Sequence, residues 1–108
     1  MTFVTGRRTG QRIMRGALAE YFQIIYDAFG TITEFTVHDA DDIIYQRIQE
    51  HITPHTLRAM SGDKWIAAIG QAKERGTSAY KYHVTQYGEN RILDYRKSLE
   101  RRQRRGYV

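Results

Sequence analysis

Met14, Ala17, Leu18, Tyr21, Phe22, Ile25 and Phe29 recur at spacings of three and four. On a helix that spacing makes one wide apolar face, so a helix is predicted over residues 11–29. Gly30 follows, where a helix ends left-handed. The pattern then changes. Residues 31–37 read Thr-Ile-Thr-Glu-Phe-Thr-Val, β-branched and aromatic, and predict one short strand. Thr36 and Asp39 form a Ser/Thr-x-x-Asp/Glu capping pattern that opens a second helix, with Phe35 placed to staple back on Ala40. Ala40, Ile43, Ile44, Ile48 and Ile52 supply its buried stripe. Thr53-Pro54 is a second start signal, with proline at a first helical position, and predicts a short helix over 54–60.

From Ser61 onward the period again fits a helix, over 62–75. Trp65, Ile66, Ile69 and Ala72 share one side, while Lys64, Ala67, Gln71 and Arg75 share the other with Glu74 beside them. Gly76 marks its end. Beyond it the period drops to two: Tyr80, Tyr82 and Val84 alternate with Lys81, His83 and Thr85. Gly88-Glu89-Asn90 has turn chemistry, and residues 91–97 return as a second strand around Ile92-Leu93-Asp94-Tyr95. A helix that runs straight into a ribbon is how a winged helix-turn-helix domain ends. The expected fold is therefore α+β and winged-helix-like: three to four helices, a short strand and a C-terminal hairpin. The expected division is a basic arm over 1–10, the folded domain over 11–97 and an arginine-rich tail over 98–108.

Charge sharpens this picture. The net charge is +5, but residues 1–16 carry +4, residues 17–63 carry −6 and residues 64–108 carry +7. A polyanion would meet one side of such a molecule. Arg7 and Arg8 lie in the arm, and Arg101, Arg102, Arg104 and Arg105 crowd the tail. The tail opens as a helix would, with few apolar residues to anchor it. Gln71 can read an adenine edge, and Lys64 or Arg75 a guanine. Lys81 and Arg91 would flank a phosphate backbone from the ribbon.

Other chemistries are excluded or weak. The 108 residues include no cysteine, which rules out disulfides and cysteine-ligated zinc. His51 and His55 stand four apart, but Pro54 interrupts the helix a shared metal would need, so no metal is expected. Asp39, Asp41 and Asp42 fall in the first turn of a helix, where the dipole favours acids without any catalytic role. With no nucleophile–base pair and no phosphate loop, an enzyme and a cofactor are not expected. No apolar run has the length of a membrane span, and a cytoplasmic protein is the default expectation.

Phe35-Thr36-Val37-x-Asp39-Ala40, then Leu57 through Lys64-Trp65-Ile66-x-x-Ile69-x-x-Ala72-x-x-x-Gly76, then Asn90-Arg91-Ile92-Leu93-Asp94-Tyr95-Arg96, resembles small winged-helix proteins of bacteriophages. The resemblance spans about residues 31–97. It implies double-stranded DNA as partner, and transcriptional control or excision as the task. Two other classes stay open: a viral inhibitor or adaptor that binds a host protein through the same scaffold, and a structural RNA-binding protein. Helix-turn-helix proteins often pair, so a homodimer through the first helix is a further expectation.

Overall fold

The computed structural model describes residues 16–74 and 77–104. Three helices come first: α1 (Gly16–Phe29), α2 (Val37–Ile48) and α3 (Pro54–Gly62). An antiparallel hairpin follows, β1 (Ile66–Glu74) and β2 (Thr77–Val84), and then a long helix, α4 (Gln86–Arg104). The chain is α+β, as its sequence suggests, but its second half is arranged differently from the expectation.

The first half follows its local signals. α1 buries Ala19, Phe22, Ile24 and Ile25, and Gly30, with φ 64°, closes it by donating its N–H to the Tyr26 carbonyl. At α2 the capping box is complete. The Thr36 hydroxyl accepts the Asp39 N–H at 3.3 Å, and the Asp39 carboxylate accepts the Thr36 N–H at 3.0 Å. α3 starts with Pro54 in its first turn, where a missing N–H costs nothing, and buries Leu57 and Met60. The strand expected over 31–37 shrinks to one bridge, in which Phe35 and Tyr82 exchange both backbone hydrogen bonds. Ile32, in the same run, is 90% exposed and contributes nothing to the core.

The helix expected over 62–75 is overturned: residues 66–74 are β1. The apolar spacing that imitated a helix comes from a bulge. The ladder shifts between Ala68 and Gly70, so Ile69 has no partner and stands 44% exposed. Gly70 sits at φ 158°, which an L side chain rarely adopts. Glu74 pairs with Thr77 across a two-residue connection, so the ribbon closes there and not at Gly88.

The return strand expected over 91–97 is likewise overturned, because these residues lie within α4. Thr85 starts that helix. Its hydroxyl accepts the Gly88 N–H at 2.8 Å and points its own hydrogen at the Lys64 carbonyl, 2.7 Å away, with the Trp65 carbonyl at 3.0 Å. Thr85 also donates its backbone N–H to the Trp65 carbonyl. Gly88 is required by this packing, since a Cβ built on it would lie 2.9 Å from both Trp65 C and Cα and closer still to Trp65 O.

One core joins all the elements. The Phe22 and Trp65 rings lie 5.2 Å apart, and Phe29 stacks on Phe35 at 4.9 Å; such pairs add about 0.5–1.5 kcal/mol beyond area burial. Ile92 of α4 is fully buried. Polar contacts complete the seam between α4 and α1. Arg96 donates to Gln23 and Asp27, and its guanidinium lies over the Tyr26 ring. The Tyr26 hydroxyl donates to Glu89 at 2.6 Å, a bond that, with burial, raises the tyrosine pKa above its ordinary value.

Candidate nucleic-acid interface

The pair of helices that precedes the hairpin is α2 and α3, joined by residues 49–53. Gln49, at φ 55°, ends α2 in a left-handed conformation. Asp41 then holds the connection, accepting the Ile52 N–H at 2.8 Å and facing the His51 Nδ1 at 3.0 Å. His51 stacks on Tyr45. The aspartates of α2 thus serve the helix start and the turn. α3 buries Leu57 and Met60 and turns His55, Arg58 and Ala59 outward. Arg58 approaches the His55 ring nitrogen at 3.3 Å. No acidic residue lies within α3.

The residues singled out from sequence are scattered by this arrangement. Lys64 is exposed, with φ 68°, in the turn that leads from α3 into β1. Gln71 is exposed on β1 opposite Tyr80, not on a helix. Lys81, on β2, is held by Glu34 at 2.9 Å, which lowers its availability to an outside anion. Arg91, half-buried, belongs to α4 and not to a ribbon. Arg101 and Arg102 are exposed near the end of α4, which runs on through Arg104. Residues 98–104 are thus continuous with the domain's last helix. Arg7, Arg8, Arg75 and Arg105 lie outside the described residues.

His55 and Arg58 were missed as candidates. Their signal was present: Thr53-Pro54 starts a short helix directly after a capped one, which is a helix-turn-helix in itself.

Beside Arg58 the surface is hollow. A groove of about 560 Å³ lies between α3 and the hairpin, lined by Val37, Ile52, Leu57, Arg58, Tyr80 and Tyr82 among others. Tyr80 is 53% exposed there, whereas Tyr82 is almost wholly buried. Burial, and to a lesser degree Tyr80, push the Tyr82 hydroxyl pKa up, while Arg58 pulls it down.

No family model and no curated protein matches this sequence. Among solved structures, a protein of Thermoplasma acidophilum provisionally described as a transcriptional regulator is similar in fold. The TM-score is 0.62 at 12% identity, over 81% of this chain and 86% of that one. The fold is a winged helix. α2 and α3 form its helix-turn-helix, the β1–β2 hairpin its wing, and α1 and α4 the supports behind them. Among the described residues no helix is long and apolar enough to cross a membrane.

Of the stretches that carry the phage-protein resemblance, Phe35–Ala40 covers the bridge residue and the capped start of α2. The second stretch runs from α3 through the turn at Lys64 into β1, and the third lies on α4.

Proposed function

We propose that this chain is a DNA-binding transcriptional regulator in which α3 enters the major groove of a duplex. His55 and Arg58 read base edges, Ala59 permits close approach, and the wing lies along the backbone with Gln71 and Lys73, joined by Lys64 from the turn before it. Arginine can bond a guanine edge in two places, and histidine can donate to an acceptor there. Arg101 and Arg102, with the arginines beyond them, add sequence-independent attraction. The observation that carries this proposal is the composition of α3. The second helix of a helix-turn-helix turns a basic, acid-free face to solvent, beside a hairpin that bears the exposed Lys73 and a turn that bears the exposed Lys64. The winged-helix fold and its likeness to a provisional regulator support the same conclusion. The Phe35–Ala40 stretch favours, at finer grain, a regulator or accessory factor of a phage or mobile element.

The test is selection of a binding site from random duplexes, followed by anisotropy titrations of the selected and a scrambled duplex. Arg58→Ala should weaken the selected site about five- to 150-fold while changing the scrambled duplex much less, as expected for the loss of a base contact worth about 1–3 kcal/mol. Equal loss on both duplexes would reject α3 as the reading helix. No duplex binding at about 50 mM salt, where phosphate contacts are strong, would reject the function.

A further inference from the structure

The groove between α3 and the wing lies where a nucleic acid that touches both elements must pass over its mouth. The groove has a platform, a floor and an anchor. Tyr80 presents an exposed ring on the wing, and its cross-strand partner Gln71 extends the same rung. Tyr82 lies deeper, and neither tyrosine hydroxyl bonds another described residue. Val37 and Ile52 make part of the wall apolar, and Ser78 adds a hydroxyl beside Tyr80. Arg58 stands on the rim as the lining cation. The Asp41 carboxylate also lines the groove, but it is already engaged by the Ile52 N–H and by His51. A flat, polar-edged aromatic ring attached to an anion matches this set: the face stacks on Tyr80, an edge meets the Tyr82 hydroxyl, and the anion meets Arg58.

We infer that the groove is a slot for one unpaired nucleobase, with Tyr80 as its stacking platform; where a base is extruded, Arg58 meets the adjoining phosphate in place of the base edge it reads on a paired duplex. The source of that base is a DNA strand, which rests on the DNA-binding function proposed above; the slot itself does not. Because a paired base cannot enter, the slot confers preference for duplexes with a base already extruded.

Two duplexes that differ by a single bulged 2-aminopurine test this. The bulged duplex should bind about tenfold tighter than the fully paired one, in line with base–aromatic stacking, and its fluorescence should fall on binding. Tyr80→Ala should abolish both the preference and the fluorescence change while leaving affinity for the paired duplex unaltered. Tyr80→Phe, which keeps the platform, should retain both. Equal affinity for the two duplexes, or a preference that survives Tyr80→Ala, overturns the slot and leaves the DNA-binding function standing. Adenosine monophosphate alone, titrated by tyrosine fluorescence, separates the two sources of the base. Binding no tighter than millimolar supports a strand. Micromolar binding lost in Tyr80→Ala reassigns the slot to a free nucleotide and overturns the strand.

Discussion

Gly88→Ala should destabilise this protein, although glycine to alanine inside a helix ordinarily stabilises by about 1 kcal/mol. The new methyl group would lie 2.9 Å from Trp65 C and Cα, against backbone that cannot swing away as a side chain could. Carbon atoms rest at about 3.5–4.0 Å, so α4 must retreat by roughly 0.6–1 Å. The bonds at the start of α4 oppose that retreat: Thr85 N–H to Trp65 O at 3.0 Å, and the Thr85 hydroxyl to Lys64 O at 2.7 Å. Lengthened by that amount, such bonds pass out of useful range, at about 1 kcal/mol each. Strain of about 1–3 kcal/mol from overpacking points the same way. After the helix-propensity gain is set against these losses, a net cost of about 2–4 kcal/mol remains. In urea, with a slope of about 1–3 kcal/mol per molar for a domain of this size, the midpoint should fall by roughly 1–2 M. Gly62→Ala is the control, because no atom lies within 4 Å of its added methyl, and its effect should stay within about 0.5 kcal/mol. An unchanged or raised midpoint for Gly88→Ala, or an equal fall in both variants, refutes the close approach of α4 to Trp65.

The remaining predictions concern caps, pH and salt. Thr36→Ala breaks the capping box of α2 and should cost about 1 kcal/mol in thermal or chemical unfolding. The Glu89 bond and burial hold Tyr26 above its ordinary pKa of 10.0. Its stabilisation is therefore complete below pH 10 and lost as pH rises past it, and Tyr26→Phe should show a shallower alkaline decline in unfolding midpoint. Wild-type binding to a duplex should follow a log–log salt slope near −5 if about five or six phosphates are neutralised. Replacing Arg101, Arg102, Arg104 and Arg105 with alanine should flatten that slope and weaken selected and scrambled duplexes alike. An unchanged slope would place the end of α4 away from DNA.

The first three helices were legible because each carries both a period and a boundary. Thr36 with Asp39, and Thr53 with Pro54, mark starts that tertiary packing did not override. The winged-helix class was legible too, since helices followed by one ribbon leave few alternatives. The second half was misread by one element for two physical reasons. The bulge at Ile69 reset the strand's alternation, so Ile66, Ile69 and Ala72 took on helical spacing around Gly70. Gly88 looked like turn chemistry, yet it is glycine because Trp65 leaves no room for a Cβ. Ile92, Tyr95 and Leu99 do stand at helical spacing within α4, but the pair Ile92-Leu93 after a glycine suggested a strand. The candidate interface followed the same error. Gln71 stands on a strand and has no helix face, while His55 and Arg58 lie on a helix that the Thr53-Pro54 start announces. The ionic partners of Lys81 and Arg96 lie 47 and 69 residues away along the chain, and no local pattern announces them.

The irregularity at Ala68 and Gly70 also governs how molecules meet one another. β1 pairs only with β2 among the described residues, so its far side offers unused backbone donors and acceptors to any passing chain. A straight edge with an exposed isoleucine would recruit further strands and seed amyloid-like stacking. Here the ladder is out of step at that very isoleucine, and the kink leaves an incoming strand no continuous row to zip onto. A variant that restores regular pairing by deleting Ile69 would straighten the edge, and light scattering at high concentration should then rise.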